Sequence, residues 1–248
     1  VGTVDQWRTR YAEGDDVRIL AVDISGVFSQ MWEVDSGKGR DFDKPRTATI
    51  NAIRRFREGH DRVAICCDSG KSFRSQIWES YKANRPDRGE AYRTQIRYAI
   101  EALEAEGCSV FRAPKYNGDL FAEADDVIGS LCAWAWESGH SVTILSSDKD
   151  LLQLVNPQVT MLRPLDKEHK VYDEAAVVEK IGLTPARIPD FLALAGDVSD
   201  NYKPYAGVGD KRAIDLLKRY GSALAIFDGV VSMPDLSSVL GAKLAESL

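Results

Sequence analysis

The sequence lacks the features of a membrane-spanning or secreted protein. Its apolar runs fall well short of the roughly 18–20 residues that cross a membrane, and Val1 to Asp16 is too polar and charged for a secretory signal. It has only four cysteines, without a Cys-x-x-Cys pair, so neither a zinc site nor a disulfide framework is expected. We therefore predict a cytoplasmic protein with reduced thiols and no membrane partner.

The motifs of covalent and nucleotide-dependent catalysis are also missing. There is no Gly-x-Ser-x-Gly, no pairing of cysteine with histidine and no Gly-x-x-x-x-Gly-Lys phosphate loop. The histidines, His60, His140 and His169, are scattered along the chain, and we expect surface positions for them. These absences leave the carboxylates as the main candidates for chemistry.

The chain has an excess of acidic residues. Its 32 Lys and Arg face 38 Asp and Glu, a net charge of −6, which by itself argues against nucleic-acid binding. Nine carboxylates are singled out below, and without them 29 acids face 32 basic residues. Bound divalent metal would make the surface still more positive. The charge is therefore compatible with a DNA-binding protein whose acids lie in a metal site.

Short apolar runs predict an α/β fold with a mainly parallel central sheet flanked by helices. The runs do not alternate with polar residues, which is typical of strands that are buried on both faces. The three clearest strands are Ile19–Val22, Val63–Cys67 and Val142–Leu145, with Ser109–Phe111 and Val159–Leu162 as further candidates. Helical patterns between them cover Thr47–Glu58, Tyr92–Glu106 and Asp125–Glu137.

The pattern becomes helical after about residue 175. We predict an α/β core over 1–175 and a helical region over 176–248. Thr184-Pro185 has an N-cap residue followed by proline, which begins a helix. The Gly207-Val208-Gly209 turn precedes a second helix, Lys211 to Tyr220, which Gly221 ends.

Each of the three clearest strands is followed by an aspartate, namely Asp23, Asp68 or Asp148. Ligands of open parallel sheets bind outside the carboxyl ends of the strands, so these three acids should converge. A single aspartate after a strand is usually a turn or helix-cap residue. Three at neighbouring strand ends favour a site.

Further acids lie close to these three in the sequence or form pairs of their own. They are Glu123, Asp125, Asp126, Asp150, Asp197 and Asp200. Acids also stabilise helix N-termini, which is the structural alternative. So many carboxylates together repel unless cations neutralise them, and oxygen-only ligands suit Mg²⁺ or Mn²⁺. Two such ions ~3.5–4 Å apart can activate water and stabilise the leaving oxygen of a phosphodiester.

These motifs, taken in order, resemble the 5′ nucleases, which comprise flap endonucleases, phage 5′ exonucleases and the 5′-nuclease domain of bacterial DNA polymerase. Each motif alone is weak, but the ordered set from about residue 18 to 230 is specific. The matching segments are Ala21-Val-Asp-Ile, Cys67-Asp68, Ser72-Phe-Arg, Tyr81-Lys-Ala-Asn-Arg85, Glu123-Ala-Asp-Asp, Ser147-Asp-Lys-Asp150-Leu, Gly196-Asp-Val-Ser-Asp-Asn201 and Gly207-Val-Gly-Asp-Lys-Arg-Ala213.

The resemblance implies a PIN-like fold and a structure-specific 5′ nuclease that acts as flap endonuclease and 5′-3′ exonuclease. It implies two Mg²⁺ ions, for which Mn²⁺ substitutes. The first site takes Asp23, Asp68, Glu123 and Asp125, with Asp126 close by. The second takes Asp148, Asp150 and Asp197, with Asp200 as a nearby or water-mediated ligand. The implied partner is DNA with 5′ flaps, nicks or ends, and we expect a monomer in a bacterial or phage-infected cell.

The resemblance also implies an arch region over about residues 73–100, with a helical arch or gateway that Lys82 and Arg85 begin. Lys82 would contact the scissile phosphate and Arg85 would steady charge in the transition state. Arg74 would contact the phosphate backbone, and Tyr81 would stack on a base. Without the resemblance, this basic segment would be interpreted as a solvated helix.

Residues 184–220 resemble the helix–turn–helix element with which the family holds duplex DNA. Backbone N–H groups around Gly207 and Gly209 would hold phosphates without reading sequence, with Lys203, Lys211 and Arg212 beside them. In the family this element can also hold a K⁺ ion. Two features depart from the family pattern: Tyr202-Lys203-Pro204-Tyr205 replaces Ile-Pro-Gly-Val, and residues 117–122 form a short insertion.

Three alternative functions make different demands on the sequence. A non-catalytic DNA-junction-binding relative would lack one or more of the nine carboxylates, all of which are present. A PIN-type ribonuclease usually has fewer acids and lacks the duplex-binding helices that residues 184–220 resemble. A haloacid-type phosphatase needs Asp-x-Asp after its first strand, but Ile24-Ser25 follows Asp23.

Overall fold

The structure, a computed structural model, describes residues 7, 16–34, 41–166, 168–205 and 208–227. These residues form two compact units, one within Val1–Phe73 and Pro86–Asp173, the other within Arg74–Arg85 and Glu174–Leu248. The elements are β1 (Arg18–Asp23), α1 (Ile24–Val34), α2 (Asp43–Arg57), β2 (Arg62–Cys67), β3 (Lys71–Ser72), α3 (Arg74–Ile77), α4 (Gly89–Ala105), β4 (Ser109–Arg112), β5 (Lys115–Asn117), β6 (Leu120–Phe121), α5 (Ala124–Ser138), β7 (Ser141–Leu145), a 3-10 helix (Lys149–Leu154), β8 (Val159–Leu162), α6 (Glu174–Ile181), a 3-10 turn (Pro185–Arg187), α7 (Ile188–Ala195), α8 (Asp210–Tyr220) and α9 (Ala223–Phe227).

Within the described residues, the first unit is built on a five-stranded sheet in the order β4-β2-β1-β7-β8. All four strand pairs are parallel. Leu20 and Val22 of β1 pack with Ile53 of α2 and Leu103 of α4 in one hydrophobic cluster. α5 also packs against β1, β2 and β7. The strands are covered by helices, which explains why they lack alternating polar residues.

A second, smaller sheet extends the first unit. It has the order β3-β6-β5, with β3 parallel to β6 and β5 antiparallel to β6. β5 and β6 form a hairpin whose turn contains Gly118 at φ 53°, a conformation that favours glycine. This hairpin contains most of the inserted segment noted in the sequence.

The second unit has its own hydrophobic core among α7, α8 and α9. Leu194, Leu216 and Ile226 are buried together there. Pro185 opens the 3-10 turn that leads into α7, and the Asp190 carboxylate accepts a hydrogen bond from the Ala223 N–H at 3.0 Å. In the described part of the chain, no helix combines the length and apolar composition needed to cross a membrane.

The predicted fold class is confirmed, and the predicted strands and helices appear with boundaries shifted by a few residues. Two expectations are corrected. His140 is buried against the ring of Trp134 rather than at the surface. The basic segment is helical only over α3, and Lys82 adopts φ 55° in a turn. The Lys82 N–H is bonded to the Asp200 carbonyl, and Arg85 precedes a proline, which disfavours helix.

Candidate active site

Three aspartates lie at one edge of the parallel sheet of the first unit. Asp23 is the last residue of β1, Asp68 follows β2 directly, and Asp148 lies three residues beyond β7. β1 pairs with both of the other strands in parallel register, so their carboxyl ends share this edge. The convergence that the sequence predicted therefore follows from the topology.

Asp23 is the most buried of these acids, at 5% exposure. It accepts hydrogen bonds from the Ser146 hydroxyl at 2.6 Å and from the Gly26 N–H at 2.9 Å. Burial raises the pKa of Asp23 to about 6, although these two hydrogen bonds lower it. Repulsion by the Asp68 and Asp148 carboxylates adds to the rise. The Asp68 and Asp148 carboxylates are therefore close enough to Asp23 for their charges to affect its pKa.

Gly26 provides the space for this carboxylate. A Cβ at Gly26 would overlap the Asp23 carboxylate and meet the Ser146 Oγ at 3.2 Å. Sequence reasoning missed Gly26 and Ser146 as site residues. Their positions in the sequence could have indicated them. Gly26 lies three residues after Asp23, the acid at the end of the first strand, and Ser146 lies two residues before Asp148.

The Asp68 carboxylate connects the start of α1 to the start of α5, where Glu123 is the N-cap residue. The Asp68 carboxylate accepts hydrogen bonds from the Ser25 hydroxyl at 3.0 Å and from the Ala124 N–H at 2.9 Å. Glu123 and Asp126 form a capping box, in which the Asp126 carboxylate accepts from the Glu123 N–H at 2.8 Å. Both acids of this box stabilise the helix start, whatever else they bind, and Asp125 lies between them in the first turn.

Asp148 and Asp150 open the 3-10 helix beside Asp23. The Asp148 carboxylate accepts from the Asp150 N–H at 2.9 Å, and the Asp148 N–H donates to the Ser146 hydroxyl oxygen at 3.0 Å. Because Ser146 also donates to Asp23, one serine connects the first and third acids. The Asp148 carboxylate therefore caps the 3-10 helix and also lies near the Asp23 carboxylate at the edge of the sheet.

The donor set at this edge suits a hydrated hard cation. Among the residues that the structure describes, no three His, Cys, Asp or Glu side chains lie close enough to enclose a metal ion. Mg²⁺ usually keeps several waters and is held by one or two carboxylates plus substrate phosphates. The oxygen-only acids at this edge fit such a hydrated ion better than a closed cage of protein ligands.

Asp197 and Asp200 lie in the second unit, in the loop after α7. The Asp197 carboxylate accepts hydrogen bonds from the N–H and the hydroxyl of Ser199, both at 2.7 Å. A Cβ at Gly196 would collide with the backbone of residues 202–204, and Gly196 has φ 74°. The altered Tyr202–Tyr205 stretch therefore closes tightly on Gly196. Metal binding by Asp197 and Asp200 stays a prediction.

Lys82 and Arg85 face Asp200 within the second unit. The Arg85 guanidinium donates to the Asp200 carboxylate at 2.8 Å and to the Ser199 carbonyl at 3.1 Å. The Lys82 ammonium lies 4.0 Å from the same carboxylate and 4.9 Å from the centre of the Tyr81 ring. Asp200 therefore neutralises the two cations that were expected to meet phosphate. Arg74 belongs to the same unit, in α3.

The predicted duplex-binding turn is partly described. Gly209 is the N-cap of α8, with φ −87° and no atom within 4 Å of an added Cβ, so the fold itself does not require glycine there. Lys203, Lys211 and Arg212 are exposed. Gly207 lies outside the described residues.

The metal-free protein should gain stability when the buried charge at Asp23 is removed. Since the folded pKa of about 6 exceeds the ordinary 3.8, ionisation is disfavoured, and the free energy of unfolding should fall as pH rises from about 4 to 6. Asp23→Asn should remove this fall, so its stability relative to the unchanged protein should rise by up to about 3 kcal/mol between pH 4 and pH 8, apart from a constant cost of losing one acceptor oxygen. Urea unfolding in chelator from pH 4 to 8 measures it.

The matched control is Asp119→Asn, because the Asp119 side chain is fully exposed on the hairpin. Its unfolding free energy should follow that of the unchanged protein at every pH. A difference in stability between Asp23→Asn and the unchanged protein that is the same at pH 4 and at pH 8 would contradict the electrostatic account.

Comparison with known families divides the chain at residue 182. Residues 36–182 match the family described as 5′-3′ exonuclease, N-terminal resolvase-like domain. Residues 183–248 match 5′-3′ exonuclease, C-terminal SAM fold. Together these matches cover residues 36–248, which leaves β1 and Asp23 outside the matched range.

Curated relatives point to the same family. A 5′-3′ exonuclease of Aquifex aeolicus (strain VF5) is 41% identical over 160 residues, which are 64% of this chain and 53% of the relative. DNA polymerase I of Mycobacterium tuberculosis (strain ATCC 25618 / H37Rv) is 39% identical over 184 residues, which are 73% of this chain and 20% of the polymerase. The chain thus spans about half the length of the first relative and a fifth of the second.

Solved structures share the fold at low sequence identity. The T5 D15 protein co-crystallized with metal ions aligns with a TM-score of 0.70 at 19% identity, covering 93% of this chain and 86% of that one. Flap endonuclease-1 from Methanococcus jannaschii aligns with a TM-score of 0.54 at 12% identity, covering 94% and 91%.

Proposed function

The chain belongs to the 5′-3′ exonuclease family, and from that premise we propose that it is a structure-specific 5′ nuclease that hydrolyses DNA phosphodiesters at 5′ flaps, nicks and ends. The observation that carries the proposal is the convergence of the Asp23, Asp68 and Asp148 carboxylates at one sheet edge. Mg²⁺ is the ion that we assign to this edge, with Mn²⁺ as a substitute. A K⁺ site, a monomeric state and a cytoplasmic location stay predictions.

The chain's own groups keep these acids oriented. Ser146 and the Gly26 N–H hold Asp23, and the Ala124 N–H holds Asp68. Repulsion among the acids favours any cation that relieves it. When bound, divalent ions supply a water of lowered pKa and neutralise charge on the leaving oxygen.

Lys82 and Arg85 supply positive charge for the phosphate in this proposal. In the free protein their charges are balanced by Asp200, and Arg85 is held at two points by the loop after α7. A phosphate offers the same bidentate geometry to a guanidinium as a carboxylate does. Substrate phosphate can therefore replace Asp200 as the partner of Arg85 without a change in its role as donor.

The start of α8 is the proposed contact for one strand of duplex DNA. The N–H groups of its first turn and its positive dipole end favour phosphate, and Lys211 and Arg212 add charge there. Gly209 leaves open space at the N-cap, so a phosphate oxygen can approach the backbone. Such contacts hold the duplex without reading its sequence.

Lys211→Ala should weaken duplex binding about equally for different sequences. When one phosphate contact is lost, one counterion fewer is released from the DNA on binding. The slope of log K against log[salt] should therefore flatten by about 0.9. Binding is measured in Ca²⁺, which prevents cleavage, over several salt concentrations. Lys218→Ala is the matched control, since Lys218 is exposed in the last turn of the same helix. Equal slopes for the two variants would place the duplex elsewhere.

The nuclease activity itself is tested on three labelled DNAs, namely a 5′ flap, a nick and a single strand, and on a single-stranded RNA of matched sequence, each with and without Mg²⁺. We expect metal-dependent cleavage of the flap strand near the junction, with single-strand cleavage much slower. Tight flap binding without cleavage in Mg²⁺ or Mn²⁺ would instead indicate a junction-binding protein. Preferential cutting of a matched RNA strand would indicate the ribonuclease alternative.

A further inference from the structure

The small sheet of the first unit is tied directly to the acidic edge. β3 begins three residues after Asp68, and β6 ends two residues before Glu123. The Ser69 hydroxyl donates to the Ala113 carbonyl at 2.7 Å, and the Phe73 N–H donates to the Phe121 carbonyl at 2.9 Å. The small sheet therefore holds a defined position beside two of the proposed metal-site acids.

Two aromatic rings are stacked on this sheet, and one of them is largely open. Tyr116 of β5 lies on Phe73 with ring centroids 4.5 Å apart and planes 25° apart. Tyr116 is nevertheless 65% exposed. Since Phe73 covers one face of the Tyr116 ring, the opposite face must provide much of that exposure.

The loop before β3 packs closely on the small sheet. A Cβ at Gly70 would lie 2.8 Å from the ring of Phe121, so the backbone approaches that ring directly. Phe121 is paired in register with Ser72, the residue before Phe73. A rigid support lowers the entropy that is lost when a ligand stacks on the open ring.

The charge around the pair has the opposite sign to that of the whole chain. The segments 70–73 and 112–121 carry Lys71, Arg112 and Lys115 against Asp119, a net charge of +2, whereas the chain carries −6. All four of these side chains are exposed. The surface around Tyr116 is therefore suited to a polyanion.

We propose that Tyr116, supported by Phe73, is a stacking platform for an unpaired nucleobase of the DNA that is bound at the acidic edge. Tyr116 directly precedes the inserted segment, 117–122, and the proposal rests on the nuclease function proposed above. A base inside a duplex is covered on both faces, so only an unpaired or terminal base can stack on a protein ring. Stacking tolerates every base because each has a π face, while nearby lysines attract the phosphates.

Tyr116→Ala should weaken binding of a 5′-flap DNA in Ca²⁺ by about 5- to 100-fold, the usual range for loss of one stacked base. Binding of a covalently closed circular duplex, which has neither unpaired nor terminal bases, should be unchanged. Tyr116→Phe and Tyr116→Trp should bind the flap like the unchanged protein, because they keep a ring. Trp136→Ala is the control, since Trp136 is 50% exposed on α5 outside the small sheet.

An abasic scan then identifies the stacked base. Flap and gapped DNAs each carry one abasic position, and the position at which Tyr116→Ala no longer weakens binding marks the base that uses the ring. Unaltered flap affinity of Tyr116→Ala would overturn the platform, and so would an equal loss on the flap and on the closed circular duplex. Cleavage by the unchanged protein is measured alongside: its absence would count against the nuclease function, whereas normal cleavage with unaltered Tyr116→Ala affinity would count against the platform alone.

Discussion

Asp148→Asn is expected to lower the single-turnover rate of DNA cleavage in saturating Mg²⁺ by on the order of 1000-fold or more. Asparagine keeps an oxygen that can accept from the Asp150 N–H, so the start of the 3-10 helix should survive. The lost charge is the one that would hold a divalent ion at the sheet edge. DNA affinity in Ca²⁺ should change little, because metal-site acids act chiefly in the transition state.

Asp68→Asn should give the same loss of cleavage, with a somewhat larger cost in stability. The Asp68 carboxylate accepts two hydrogen bonds, from the Ser25 hydroxyl and the Ala124 N–H, whereas asparagine has a single acceptor oxygen. Asp190→Asn is the control, since its carboxylate also accepts a backbone N–H but belongs to the core of the second unit. Near-normal turnover of either site variant would refute the assignment of the metal edge.

Arg85→Ala is expected to slow the chemical step by about 100- to 1000-fold, the usual effect of removing one donor that stabilises transition-state charge. Lys82→Ala should act in the same direction. Both cations already share one carboxylate, that of Asp200, so the fold has brought them to a common anion-binding position. Affinity for DNA should fall much less than the rate, because developing charge strengthens these contacts.

Single-turnover rates at saturating enzyme separate the two effects. Arg93→Ala is the matched control, since Arg93 is an exposed arginine of α4 that pairs with Asp87 at 2.7 Å. Its rate should equal that of the unchanged protein. If Arg85→Ala loses affinity but cleaves at the normal rate once bound, the segment from Tyr81 to Arg85 is a basic surface without a role in chemistry.

The sequence by itself determined the sheet and the acids at its edge. A strand that is buried on both faces must be apolar throughout, so the runs ending at Asp23 and before Asp68 could be recognised without any long-range information. Parallel pairing then brings strand ends together, because every strand of such a sheet points the same way. Local signals also indicated the second unit, since Pro185 and Gly221 mark helix ends.

The tertiary structure alone decided how the side chains are paired. Ser146 holds Asp23 across 123 residues of sequence, and Arg85 meets Asp200 across 115. The exposed ring of Tyr116 lies on Phe73, 43 positions earlier in the chain. Such contacts depend on which loops lie next to each other in the folded protein. Hydrophobic periodicity and turn residues are local signals, so they do not indicate which distant residues meet. For the same physical reason, a turn replaced the expected helix at Lys82, whose N–H is held by a carbonyl from a distant loop.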